Sequence, residues 1–387
     1  MQLSIAYLAR GQLRLKEGTG PARNLESRYG ETIREKLLKS QQRHAWKSGG
    51  GGFLASEMLW GKAGLGNRPI PVNLTSLCSG NVAGHLLYTL ESESLCGLLS
   101  VENSGENERR LWNNNNIKIR HLSLSSNGDL ACGIENQNGT ANIGVMLYEN
   151  AGLREITEGD SFDTAPSWIP GQERELVFQS AGVGRTKDGH VAGLGPFHIQ
   201  KLVLATGDMS TLLEDSQFDF LAPRAASSGV LYCIQRPHQT GREFKPLAVI
   251  KDILLLPFRL IWAVFQFLNF FSMLFGSKKL TPSANVPAQM KQMDPKQMIL
   301  WGNLIQAQKE NADGKAQTIV PSTWKLIRKE PGKDVEILAQ SVACFDVAAD
   351  GVIVFSDGTK IVSLQNGKET VLGSDELVEQ IAILPTP

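Results

Sequence analysis

The chain lacks most of the features that mark a functional class. Its five cysteines among 387 residues (Cys78, Cys96, Cys132, Cys233, Cys344) are scattered and odd in number. That is neither a disulfide framework nor a Cys-x-x-Cys metal pattern, so they read as small apolar core residues. Net charge is missing too: Lys+Arg 39 balance Asp+Glu 39, without a basic run. Binding phosphates requires clustered Lys and Arg, so nucleic acid is not expected as a partner. Before Arg10 and Arg14 stands only a short apolar stretch, Ile5 to Ala9, whereas a secretory leader needs roughly 7–15 apolar residues after a basic start. The expected compartment is the cytoplasm.

Catalytic signatures are also missing. The six histidines (His44, His85, His121, His190, His198, His238) form no His-Glu-x-x-His or comparable ligand spacing. His190 and His198 accompany the glycine-rich loop Gly182 to Gly195, whose Gly-x-Gly sits in a β hairpin, not between strand and helix, so it does not suggest a phosphate cradle. There is no Gly-x-Ser-x-Gly elbow. Asp160, Asp163, Asp350 and Asp357 fall in turns, where side-chain to backbone bonds account for them. No catalytic residue, metal ligand or cofactor is expected.

What is present is glycine, 38 of 387, and a repeated strand–turn–strand shape. It occurs at His121 to Ile134 around Gly128, at Asp163 to Ser180 around Gly171, at Leu221 to Tyr232 around Gly229 and at Cys344 to Phe355 around Gly351. A weaker copy surrounds Gly84. The first turn glycines are 44 and 43 residues apart, and four short strands in a propeller blade occupy about 40–45 residues. The ends supply ring closure. Ile5 to Leu15 matches Val354 to Leu364 in register, so the chain begins in mid-blade, and the apolar tail 377–384 can add the missing inner strand. A shared blade removes an open edge that would template aggregation. The expected fold is all-β: a six-bladed β-propeller closed by a shared N/C-terminal blade, with helical insertions. Its blades are 377–384 with 3–27, about 70–114, 118–158, 161–215, 217–341 with an insert, and 342–373. A pair of β-sandwiches is the alternative.

In domain terms, 1–30 hold the outer strands of the first blade and 31–66 a helical and glycine-rich insert. Blades follow over 67–240, a hydrophobic helical insert over 241–297, and the last blades with the closing strand over 298–387. In the blade at 163–180 the pattern Asp163-x-x-Pro166-x-Trp168-x-Pro170-Gly171, followed by Val177-Phe178-x-Ser180, resembles the WD-repeat-like blades of the TolB family of six-bladed propellers. The resemblance is partial at Ser126-Asn127-Gly128 and at Asp350-Gly351, and covers roughly two thirds of the chain. It implies a propeller acting as a binding platform. Asp163, Pro166, Trp168, Gly171, Gly128, Gly229 and Gly351 then build blades and perform no chemistry, with Trp168 packed between blades.

The insert carries the strongest functional signal. Of Ile253 to Phe275, only Pro257, Arg259, Gln266, Asn269 and Ser272 are not apolar. The length would let a helix span a bilayer. Inside one blade, however, both ends must emerge on the same side, and 277–297 is too polar to recross. The segment therefore reads as a helix lying in a membrane interface, a helical hairpin dipping into it with a bend near Pro257, or a helix packed on protein. At about 100° per residue Arg259, Gln266 and Asn269 form a narrow polar stripe. Lys245, Lys251, Lys278 and Lys279 flank the helix, as suits contact with anionic headgroups. The candidate membrane- or partner-binding residues are Leu254, Phe258, Arg259, Trp262, Phe265, Phe267, Phe270, Phe271, Leu274, Phe275, Lys278 and Lys279. A second segment, 31–47, has Ile33, Leu37, Leu38 and Trp46 among basic residues and predicts an amphipathic helix, either capping a propeller rim or forming an arm hinged at 49–52.

The function expected from these features is a non-enzymatic binding scaffold, peripheral on the inner membrane face, serving one or more protein partners. The alternatives are a subunit that buries the apolar helix in a larger assembly, and a propeller hydrolase or lactonase with a site in its channel.

Overall fold

The computed structural model describes residues 3–48, 72–92, 95–172, 174–238, 297–300, 303–306 and 319–385. In chain order, β1 (Ser4–Ala9), β2 (Gln12–Glu17) and β3 (Arg23–Leu25) precede α1 (Arg28–Ser48). A second group follows: β4 (Asn73–Ser79), β5 (His85–Ser92), β6 (Leu95–Glu102) and β7 (Arg109–Asn114). The third is β8 (Lys118–Leu124), β9 (Leu130–Glu135), β10 (Ala141–Leu147) and β11 (Asn150–Glu155). The fourth contains β12 (Thr164–Trp168), β13 (Glu175–Ser180), the small pair β14 (Val183–Arg185) and β15 (Val191–Leu194), then β16 (His198–Val203) and β17 (Asp208–Leu213). The fifth has β18 (Phe218–Ala225), β19 (Leu231–Pro237), the pair β20 (Gln297–Leu300) and β21 (Asn303–Gln306), then β22 (Lys325–Lys329) and β23 (Val335–Gln340). The chain ends with β24 (Cys344–Val347), β25 (Ile353–Ser356), β26 (Lys360–Gln365), β27 (Lys368–Ser374) and β28 (Val378–Leu384).

These strands form six four-stranded antiparallel sheets, each one blade of a propeller. Five follow chain order from inner to outer strand, and the first has the order β28-β1-β2-β3. The inner strands β28, β4, β8, β12, β18 and β24 each neighbour the next around a closed ring. Burial falls outward. Every residue of β12 is buried, whereas β7 and β17 on the periphery have none buried.

Six apolar clusters hold the ring, one at each seam between blades. Leu98 and Cys96 meet Ile119 and Cys132 between blades two and three, and Ile143 and Val145 meet Trp168 and Phe178 between three and four. Phe220 and Cys233 close on Val177 and Ile199, Phe345 and Phe355 on Leu221 and Ile234, and Ile5 and Tyr7 on Val354 and Ile361. Leu8 and Leu13 meet Leu77 and Leu86 at the remaining seam. Both faces of each blade are therefore apolar, which is why strands such as Ala131-Cys132-Gly133-Ile134 lack simple alternation.

Closure occurs through β1 and β28, paired from Ser4↔Leu384 to Ala9↔Val378. Asp375, just before β28, accepts from the Tyr7 hydroxyl at 3.0 Å and pairs with Arg14 of β2. Head and tail thus share one sheet and a part-buried ionic contact, and Arg10 pairs with Glu376 nearer the surface.

Strand alternation sends every turn between second and third strands, and every connection between blades, to the same end of the ring. All the insertions use it: α1 in the connection from blade one to two, the β14–β15 pair in blade four, and the segment from 238 to 325 in blade five. The fifth blade resumes only at Lys325, because β20 and β21 pair with each other and not with the blade. The helix α1 is amphipathic. Tyr29, Ile33 and Leu37 share one face and pack on the cluster between blades one and two. Ser27 caps it by accepting from Gly30 N–H at 3.0 Å, and Glu108 accepts from Tyr29 N–H at 2.8 Å. It is the one helix among the described residues, and none there is long and apolar enough to cross a membrane.

Candidate functional site: the bulged waist of the channel

Five of the six inner strands break register at the same level. Across β28 and β1, Leu8 faces Gln380 but Ala9 faces Val378, leaving Glu379 unpaired. Thr75 is left over in β4 between Leu74↔Leu90 and Ser76↔Thr89. In β8, His121 and Leu122 share one opposing position, as do Ala165 and Pro166 in β12, and Ala222 and Pro223 in β18. Only β24 runs in even register. A bulge bends its strand and re-aims the side chain it carries. Here the bulges converge on a cavity of about 120 Å³ lined by Thr75, His121, Leu122, Ala165, Pro166, Ala222 and Glu379, with Arg120, Arg224 and Cys344 beside them.

Three of these residues adopt the left-handed backbone without being glycine: His121 at φ 54°, Ala165 at 52° and Ala222 at 52°. Each such residue costs about 1–2 kcal/mol. That cost recurs at one position in three consecutive blades and accompanies the channel wall, as strain at binding sites does. A sequence signal for it exists. Ala165-Pro166 and Ala222-Pro223 repeat one dipeptide, and a proline within a strand belongs at a bulge or an edge because it has no ladder donor.

Each displaced inner strand is caught by the blade before it. Ser76 Oγ accepts from Leu122 N–H at 2.9 Å, Ser123 Oγ from Trp168 N–H at 3.2 Å, and Gln179 Oε1 from Ala222 N–H at 2.7 Å. Arg224 donates to Asp346 at 3.1 Å, and Asp346 accepts from Ile383 N–H at 2.8 Å. Gln380 then bonds Leu77 in the next blade. Every seam thus has a polar latch beside its apolar cluster.

Electrostatics at the waist are uneven. Arg120 pairs with Glu91 at 2.9 Å and Glu135 at 3.4 Å. Burial holds His121 down at about 3, with Arg120 and Arg224 adding repulsion, so the ring is neutral and its Nδ1 bonds Thr164 Oγ1 at 2.7 Å. Burial also raises the Glu379 carboxyl, against the pull of Arg120. All five thiols are buried and free, and burial pushes Cys78 up to about 12, which makes it an inert core residue.

The blade-motif residues occupy turns and seams. Gly128, Gly171, Gly229 and Gly351 have φ of 88°, 75°, 81° and 85°, which a β-carbon would strain. Asp163 accepts from Ser180 Oγ at 2.7 Å, and the Trp168 indole donates to the Ser123 carbonyl at 3.1 Å across the seam. Asp350 and Asp357 accept turn amides, while Asp160 binds Arg185. Pro166 alone of the set reaches the channel. Leu254, Phe258, Arg259, Trp262, Phe265, Phe267, Phe270, Phe271, Leu274, Phe275, Lys278 and Lys279 lie outside the described residues, as does the 49–52 hinge.

A second polar cluster underlies the base of the blade-five insertion. Buried Asp219 accepts from Arg236 Nε at 2.9 Å, His238 Nδ1 at 2.7 Å and Phe197 N–H at 3.1 Å. The Arg236 guanidinium lies 5.0 Å from the Trp324 ring centre. Neither this cluster nor the channel waist was foreseen from the sequence.

No family model and no curated protein matches the sequence. Solved structures do match the fold. TolB from Acinetobacter baumannii aligns over 100% of this chain and 67% of its own, with 11% identity and a TM-score of 0.52. The tricorn protease aligns over 98% of this chain but 34% of its own, with 10% identity and a TM-score of 0.45. The nidogen/laminin complex gives 100% and 99%, with 8% identity and 0.47. The likeness to TolB is one of fold.

Proposed function

We propose that the protein is a non-enzymatic propeller scaffold, held at the cytoplasmic face of a membrane by the apolar segment 253–275 and presenting the propeller to a protein partner. One observation carries this reading: β19 and β22 are direct antiparallel neighbours, from Leu231↔Lys329 to Gln235↔Lys325. Whatever lies between them leaves and re-enters the blade at one edge. A single bilayer crossing is incompatible with that, and a helix lying in the interface is compatible. The same end of the ring carries α1, whose Arg28, Arg34, Lys36, Lys39, Arg43 and Lys47 outnumber Glu31 and Glu35. Basic residues near an anionic surface contribute about 1 kcal/mol each. Attraction of this basic helix to an anionic surface would add to the burial of the apolar segment.

The test is co-sedimentation of the full chain with vesicles containing phosphatidylserine, compared with a chain lacking 246–280. The expected result is loss of most bound protein on deletion and weakening in high salt. Equal sedimentation of both chains rejects membrane attachment by this segment. A detergent-free, monodisperse complex with a second protein that masks the segment would replace the reading with an assembly subunit.

A further inference from the structure

Two of the three charged side chains that line the waist cavity are guanidinium groups, Arg120 and Arg224, and the third is Glu379. Positive charge is therefore in excess on the lining. Glu91, Glu135 and Asp346, which pair with the two arginines, are not part of that lining. They do not use up either guanidinium. The Nε of Arg120 is buried and makes no hydrogen bond, since Glu135 at 3.4 Å is not aligned to accept from it. Arg224 donates from Nε to Asp346 and from Nη1 to the Pro223 carbonyl, which leaves its Nη2. A buried N–H without an acceptor is unfavourable, so an acceptor brought into the cavity is favoured there. Both guanidinium groups also repel a proton from the buried His121 ring, so their fields overlap at this wall. Arg120 acts on Glu379 as well, without a hydrogen bond between them.

Size and wall composition narrow the ligand. The volume of about 120 Å³ is roughly four times the ~30 Å³ share of a water molecule. Half the wall is polar: Thr75, His121 and Gln380 stand with Leu122, Pro166 and Phe345. A planar carboxylate meets guanidinium donors through charge-assisted bonds, and a short carbon stem suits the apolar half. A doubly charged oxyanion would exceed the surplus of positive charge and be repelled by Glu379.

We infer that the channel waist binds a small free monocarboxylate of about two to four carbons, with Arg120 and Arg224 as its donors. This is independent of membrane attachment.

Calorimetric titration of the full chain with propionate, its neutral counterpart propionamide, propylammonium and inorganic phosphate tests it, in a low-salt buffer free of other carboxylates. Propionate should bind saturably, and the other three at least ~10-fold more weakly, the factor expected of one charge-assisted hydrogen bond. Any of the three binding as tightly as propionate to the wild-type chain would overturn the proposal without any variant. Arg120→Gln and Arg224→Gln should each weaken propionate by ~10-fold on the same basis. Unchanged binding by both variants, each folded by circular dichroism, would also overturn it. Glu379→Gln removes the like charge of the lining, so it should bind propionate equally or more tightly. Weaker binding by a folded Glu379→Gln chain would mean that the carboxylate, not the guanidinium pair, recognises the ligand, and the proposal would fall. If both arginine variants fail to fold, the wild-type comparison and Glu379→Gln decide.

Discussion

Gln380 grips the backbone of Leu77 from both sides: its Oε1 accepts from the Leu77 amide at 3.1 Å, and its Nε2 donates to the Leu77 carbonyl at 2.9 Å. The two residues are 303 positions apart in sequence. This contact joins the blade that contains both chain ends to the first complete blade, so it serves closure of the ring. Loss of buried partners costs about 1–3 kcal/mol per group left unsatisfied. Gln380→Ala should therefore destabilise by roughly 2–4 kcal/mol on that basis, read as a lower urea midpoint at unchanged slope. Gln380→Glu keeps the acceptor, loses the donor and should fall between.

The repeated left-handed alanines make a second expectation. At φ 52° the β-carbons of Ala165 and Ala222 oppose the backbone that the bulge demands. Glycine removes that strain but loosens the unfolded chain. Because Pro166 and Pro223 follow and restrict the unfolded chain already, the first effect should win. Ala222→Gly is expected to be neutral to stabilising by about 1 kcal/mol, and Ala222→Val to destabilise by more than that. Thermal melts of the pair decide it, and a clear loss on Ala222→Gly would show that the alanine methyl packs more than it strains.

His121 predicts a pH dependence. Its folded value, about 3, lies below its ordinary 6.5, so the unfolded chain binds the proton more readily. Stability from this residue is complete above the unfolded value and is lost as pH falls from about 6.5 toward 3. The slope is at most about 1.4 kcal/mol per pH unit. His121→Asn tolerates the left-handed backbone and does not titrate. It should flatten the stability–pH curve in that window, and a curve with the wild-type slope would contradict the neutral, buried imidazole.

The propeller was legible because its signals are local and repeated. Glycines 84, 128, 229 and 351 mark turns whose φ values only glycine accepts readily, and the match between Ile5–Leu15 and Val354–Leu364 pointed to closure. The waist was not legible, since a bulge is a relation between two strands, and one strand's sequence does not state its register. His121 illustrates this. Its neighbours in sequence read as an ordinary strand, yet Thr164, 43 residues on, supplies its hydrogen bond. Ala165-Pro166 and Ala222-Pro223 were visible as text. Their meaning required that both fall on inner strands, which only the assembled ring establishes. Asp219 and Arg236 were hidden in the same way, as they become neighbours across the β18–β19 ladder.

That pair yields the last prediction. Asp219 and Arg236 are both buried, and the carboxylate also holds His238 and the Phe197 amide. Removing one member of such a pair strands the other, which costs about 3–5 kcal/mol. Asp219→Ala should lose that much, measured by urea unfolding. Removing both charges is different, because apolar groups of similar volume in place of a buried ion pair are often neutral. Asp219→Leu combined with Arg236→Met should thus recover most of the loss at Arg236, leaving a residual of about 1–3 kcal/mol for the unpartnered His238 and Phe197 donors. His238 is the last described residue before the apolar insertion, so the two variants also separate stability from attachment. If the cluster serves only the blade, vesicle binding by the folded double variant should equal that of the wild-type chain.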